Sequence, residues 1–528
     1  MKLPVFTLGV WLPSEEVVTG FASSIGLVAR GLDGDERIFT DGASRTLRVN
    51  ARDGAIWFED ASRLWNPDRP PIEPAQAVTV TALGFFGGLK PTIQTKVADR
   101  WDVITRSDVC PGTHVSTYDL DTNDRTDKVT DWFFAHRVSL RVLDPRTSNG
   151  VEPTMVDAPL IGKSGRINIT RDDETVIGAS LVWRPLTGLW LDQELDAMLP
   201  PWPSDFIGPA VDCSSTLAYR EFSIGPDHDG EVVLAPFWVT EFSVRQAGAP
   251  PSRLVSVTPA IRQFAQATTI QQQPQRRENQ SMSSHASKPM LGTVWISVEN
   301  TPASAAARDL ETAFTVNGWH AAFSWGDVNA WSDDWRADDD QWIDAVDLVF
   351  YSGHADEGSW VLHDDDRLRY YDTRPPRDSR SDFWGKRLKW LIIDACGPLQ
   401  DSFVSSQQVT DTLFGRWKGA FDGLQALLGA ATVVNPDERV GKRFAELALK
   451  SSAVKAWLTA NREYRGSGKP VVCENGKSAT VVGVLVQRLG GDCTPFRECL
   501  SPPVRDPKKT VVPPGATREL IAIWIPLA

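Results

Sequence analysis

Residues 263–290, QFAQATTIQQQPQRRENQSMSSHASKPM, form a Gln/Ser-rich stretch without apolar periodicity, and the hydrophobic pattern changes across it. Such a composition buries too little apolar surface to order itself. A chain of 528 residues is also too long for one hydrophobic core. The stretch is therefore read as a flexible linker between two unlike halves. Ahead of it, strand patterns dominate: HRVSLRVLD (136–144) alternates, and PLIGKSGRINITRDDETVIGASLVWRPL (159–186) gives three strands with turns at 162–165 and 172–174. LAPFWVTEFSV (234–244) adds another. This half is expected to be β-rich, of α+β type, with an N-terminal subdomain over 1–125 and an antiparallel subdomain over 126–262.

After the linker, GTVWISVE (292–299), 346–351 and 390–393 are short runs, apolar almost throughout. Between and after them lie helical patterns at 304–319, at FDGLQALLGAA (421–431) and near 438–460. Fully apolar strands alternating with helices predict an α/β domain over 291–500, a mostly parallel sheet with helices on both faces. Residues 501–528 form a Pro-rich tail ending in a strand. In such sheets ligands bind beyond the carboxyl ends of the strands.

Two of these strands end on reactive groups. DLVFYSGHAD (347–356) stops at His354, and LKWLIIDACG (388–397) stops at Cys396. A thiol becomes a good nucleophile when an imidazole takes its proton, and adjacent strand ends bring the two together without closeness in sequence. The order, His before Cys, excludes a papain-like arrangement.

An apolar run ending in Ser-Gly-His followed by one ending in Asp-Ala-Cys-Gly resembles the caspase-like cysteine peptidases, which include metacaspases and legumains. WGDVNAWSDDW, WIDAVDLVFYSGHAD, LKWLIIDACGPL and FDGLQALLGAAT, spread over roughly 290–465, also resemble an uncharacterised bacterial family of unknown function. The resemblance implies a caspase-like domain with Cys396 as nucleophile and His354 as general base and acid. It implies an oxyanion site at the amides of Cys396 and Ala355, where relatives commonly carry Gly. Pro398 departs from the relatives' Cys-x-Gly pattern. Asp394 matches the position that lines the primary pocket, with Asp356 beside it as a second substrate-binding carboxylate. An acidic pocket selects Arg or Lys by charge-assisted hydrogen bonds. The function so implied is a cysteine endopeptidase acting on protein or peptide substrates, with the N-terminal half regulatory or inhibitory. Arg276 and Arg277 in the linker are the expected self-cleavage positions. The competing reading is an inactive scaffold that binds protein or carbohydrate through tryptophan-rich surface.

Other features weigh less. A formal charge of −13 argues against nucleic-acid binding. No run has the length of a membrane span. Six cysteines are too few for a disulfide framework, although Cys473, Cys493 and Cys499 lie close enough for one bridge in an exported protein. A cytoplasmic location is expected, with secretion as the alternative. Most of the 21 tryptophans are expected in cores. No cofactor or metal is expected as a requirement. The acidic run DDWRADDDQWIDAVD (333–347) suggests calcium as an activator, yet it lacks dedicated loop spacing and reads better as a solvated face. His354, Asp356, His363 and Asp364 fit no metal motif.

Overall fold

A computed structural model describes the chain apart from residues 1, 73–81, 90, 92, 148–151, 164, 201–209, 225–230, 245–251, 266–287, 298–301, 337, 364–366, 370–383, 385–386, 403, 405–410, 435–436, 466–479, 491–498, 502–516 and 528. Arg276 and Arg277 lie outside the described residues.

Besides a two-stranded sheet, Lys2–Leu3 with Leu195–Asp196, the N-terminal half contains two large antiparallel sheets. The larger has ten strands, with Trp132–Leu143 near its centre, flanked by Trp101–Pro111 and Arg166–Arg171. The smaller is built around Glu231–Val244, which pairs with Ala210–Ile224 and with Ser252–Pro259. Ile167 and Ile169 of the larger sheet share one apolar core with Leu217, Tyr219 and Val233 of the smaller. They alternate with Arg166, Asn168 and Thr170 in the period-2 pattern of a strand, and those polar neighbours are buried too, against the end of the last helix.

The third large sheet has nine strands. In chain order these are β1 (His114–Asp119), β2 (Arg125–Val129), β3 (Met290–Trp295), β4 (His320–Gly326), β5 (Leu348–Ser352), β6 (Trp390–Asp394), β7 (Ala426–Ala430), β8 (Thr480–Leu489) and β9 (Arg518–Leu527). Their spatial order is β2-β1-β9-β8-β7-β6-β5-β3-β4. Strands β4, β3, β5, β6 and β7 run parallel, and every pairing from β7 through β8, β9 and β1 to β2 is antiparallel. Three longer helices cover one face: α1 (Ala303–Thr315), α2 (Arg439–Ala448) and α3 (Ala453–Tyr464). The opposite face is covered by short 3₁₀ turns, a five-residue helix at Leu413–Trp417, and the buried rings of Trp335, Trp360, Trp384 and Trp417. No helix among the described residues is long and apolar enough to cross a membrane.

The expected fold class is therefore wrong. Strands make up 46% of the structure against 21% for helix, the N-terminal sheets are antiparallel throughout, and half of the nine-stranded sheet is antiparallel too. A mostly parallel caspase-like sheet with helices on both faces is not what forms. Part of the error lies at 421–431. The helical spacing there gives way to strand β7, because the run is buried between β6 and β8 and pairs with both. A short apolar run does not distinguish helix from buried strand by periodicity alone. The region near 438–460 is two helices rather than one, with Ser452 capping α3 at the Lys455 N–H.

The halves are also interleaved. Trp101–Pro111 and Trp132–Leu143 belong to the ten-stranded sheet, and their continuations β1 and β2 pair with each other, β1 lying on β9 in the nine-stranded sheet. One long hairpin thus runs through both sheets. It bends at Gly112, whose N–H bonds the Asp131 carbonyl and where a Cβ would lie 2.1 Å from the Asp131 carboxylate. The boundary placed at 125 falls within this hairpin, and the terminal strand β9 sits inside the sheet rather than in an appended tail.

Candidate functional site

Ser352 and Asp394 are register partners at the carboxyl ends of parallel neighbours β5 and β6. Two residues beyond each, His354 and Cys396 line one narrow recess together with Ser352, Gly353, Asp394 and Arg465. Val255 from the N-terminal half, Ala306 of α1, Val434 and Asp437 complete its walls. The expected pair is thus brought to one place.

Each loop is held by specific contacts. The Tyr351 hydroxyl bonds the carbonyl of Val361 at 2.6 Å or that of His354 at 3.0 Å, fixing the turn that carries the imidazole. At Gly353 a Cβ would lie 2.5 Å from that hydroxyl. The cysteine loop turns at Gly397, which has φ +77°, and its N–H reaches the Thr432 carbonyl. A Cβ on Gly397 would approach the Asp356 backbone at 3.1 Å, so the two loops touch directly. The amides of Ala355 and Cys396 donate no hydrogen bond to another described residue, which leaves both N–H groups uncommitted.

Cys396 is 7% exposed, and its Sγ lies 3.9 Å from the Val434 carbonyl oxygen. Burial pushes its thiol up to about 11. At neutral pH the resting sulfur is therefore a thiol. His354 is likewise buried.

The acidic positions are placed less simply. Asp394 lines the recess, but its carboxylate already meets the Arg465 guanidinium at 2.5 Å, with both side chains 2% exposed. Burial holds the Asp394 carboxyl above the ordinary range despite the pull of Arg465. Asp356 is not among the residues lining the recess. Its Oδ1 accepts the N–H groups of Gly358 and Ser359, so it closes the turn after the histidine.

Arg465 and Asp437 were not anticipated as site residues. Arg465 follows the end of α3, 71 positions beyond Asp394 in the sequence, and no local motif announces the pairing. Asp437 is clamped by Arg439 at 2.7 and 2.9 Å. Burial would raise its carboxyl, yet Arg439 and, behind it, Arg220 bring it down to about 2.

The metal readings find little support in side-chain placement. His363 stacks on Trp331, and Asp364 lies outside the described residues. In the acidic run, ligand atoms of Asp339, Asp340 and Asp344 come within 4.8 Å of one another. The run is not a solvated face, because Asp334, Asp339, Asp344 and Asp347 are buried. Asp344 accepts the N–H groups of Arg387 and Leu388, and Asp347 accepts that of Met290, so these carboxylates anchor the starts of β3 and β6. Burial and its acidic neighbours push the Asp339 carboxyl up to about 6.

Among the described residues, ten tryptophans, including Trp335, Trp360, Trp384 and Trp457, are fully buried, and Trp331 is the large exposed one at 47%. Cys110, Cys213, Cys396 and Cys499 form no disulfide among the described residues, and Cys473 and Cys493 lie outside them.

Residues 295–479 match a family described as Domain of unknown function (DUF6345). The matched region includes both His354 and Cys396. No curated protein matches the chain.

Proposed function

We propose that this chain is a cysteine-type peptidase held in a closed resting form, cutting protein or peptide substrates after Arg or Lys. The observation that carries this reading is the placement of His354 and Cys396 at equivalent positions beyond one parallel register pair, on the wall of a common recess. His354 takes the Cys396 proton as the sulfur adds to the substrate carbonyl carbon. The resulting oxyanion is held by the free amides of Ala355 and Cys396. Collapse expels the amine, which leaves with the proton from His354, and the acyl group remains on sulfur. Water, giving a proton to His354, then releases the acid, and the thiol is restored. The acidic subsite is supported by its own contents, since Asp394 already holds a guanidinium.

The N-terminal half is read as regulatory because Val255 forms part of the recess wall. Residues 437–439 at the rim are also gripped from that half, through Arg220 on Glu438 and Glu221 on Arg439.

A second reading, an inert framework that keeps the two residues without using them, is favoured by the burial and raised titration of the Cys396 thiol. A Cys-directed peptide electrophile ending in Arg separates the two. It should modify Cys396 in the native chain and not in His354→Ala. Equal, slow modification of every accessible thiol in both proteins would leave the framework reading standing.

A further inference from the structure

Four consecutive residues at the end of α3 face two different ways. Arg462 is gripped by the N-terminal half, and Glu463 and Tyr464 are shared between that half and α2. The Arg462 guanidinium reaches Thr170 and lies over the Phe133 ring at 4.8 Å, and its carbonyl accepts from Arg166. Glu463 meets Arg48 at 3.2 Å and Arg443 of α2 at 2.5 Å, and the Tyr464 ring faces Lys163 at 5.6 Å and Arg439 of α2 at 4.8 Å. The fourth residue, Arg465, turns the other way. It leaves the helix in extended conformation, φ −108° and ψ 120°, with its N–H on the Asn461 carbonyl. Its guanidinium is shared between the Asn461 side chain at 3.0 Å and Asp394 at 2.5 Å, beside His354 and Cys396.

We infer that Arg465 is an internal plug in the basic-side-chain subsite, seated there by the grip of the N-terminal sheet on Arg462 and by the joint hold of that half and α2 on Glu463 and Tyr464, so that an incoming Arg or Lys must displace it. This rests on the peptidase reading above and adds its means of restraint. A guanidinium bound bidentately or in a fork is matched best by another guanidinium. The plug therefore explains both the chemistry the recess accepts and why the resting recess is narrow. A shift of the N-terminal sheet would move the last turn of α3 and withdraw Arg465, because the anchored residues adjoin it with no intervening linker.

The test compares full-length wild type, Arg465→Met, and Asp394→Asn combined with Arg465→Met. Each is treated with a peptidyl acyloxymethyl ketone ending in Arg or in Leu, and Cys396 modification is followed by mass spectrometry. Removing one charge-assisted pair should let the Arg probe modify Cys396 about tenfold faster or more in Arg465→Met. The Leu probe should gain less there. The double variant should be faster than wild type with both probes and lose the preference for Arg. An unchanged Arg-probe rate in folded Arg465→Met overturns the plug. Should that variant unfold because Asp394 is left unpaired, the double variant decides, and wild-type rates in it overturn the plug equally. Adding His354→Ala to Arg465→Met tests the underlying chemistry separately: if the faster modification survives loss of the imidazole, the dyad fails while the plug stands.

Discussion

Gly397 packs against the backbone of Asp356, so the turn carrying the cysteine rests directly on the turn following the histidine. A Cβ there would crowd the Asp356 backbone at 3.1 Å, and the φ of +77° is left-handed. Replacement by Ala meets both a left-handed backbone and a crowded neighbour, and should cost about 1–2 kcal/mol. Urea unfolding of Gly397→Ala measures this, and the same protein should show altered Cys396 modification. Unchanged stability would mean that the loops are not in register.

The buried thiol gives a pH signature. With Cys396 pushed up to about 11, its thiolate fraction should grow about tenfold per pH unit between pH 7 and 10. Alkylation by iodoacetamide, read at Cys396 by peptide mapping, should rise accordingly in the resting protein. A plateau near neutrality would show a thiolate already formed, and with it a site that is open.

Asp437 sets an acid limit on stability. Its carboxyl is held below the unfolded value by Arg439, so its contribution is present above about pH 4 and lost as pH falls towards about 2. Asp437→Asn should flatten the fall in denaturant midpoint over that interval and lower the midpoint at pH 7. An identical acid limb in the variant would assign the loss to other carboxylates.

The tryptophans behind the sheet carry packing. Trp360 lies 5.4 Å from Trp335 and 5.9 Å from Trp417, ring to ring. Trp360→Ala should cost about 3–5 kcal/mol, by cavity formation and lost burial. Chemical denaturation followed by circular dichroism checks it. A nearly neutral effect would reopen a surface-binding role for this cluster.

How much of this was legible beforehand differs from residue to residue. Strands β5 and β6 stood out because both of their faces are buried, leaving few polar positions in either run, and the runs stop abruptly at His354 and Cys396. His354 and Cys396 followed from those ends. Strand β2, RTDKV, was invisible as part of the nine-stranded sheet, since it is a charged outer strand that borrows its place from β1. The acidic run looked solvated because composition does not reveal that Asp344 and Asp347 are turned inward to hold backbone amides. Arg465 gave no signal at all: its partner is distant, and nothing in TANREYR separates the arginine that enters the recess from the one that grips the N-terminal sheet.

The hairpin that threads both sheets changes what a break in residues 263–290 would accomplish. The pieces on either side would stay stitched through six consecutive pairings of β1 with β9, so a nicked chain should migrate whole under native conditions and separate only in denaturant. A fragment beginning near 290 would expose the bare margin of β9, with Ile521 and Ile523 beside unpaired amides, an invitation to aggregate. Excising the first half would thus strip the nine-stranded sheet of two of its own members, β1 and β2, rather than detach a separate module.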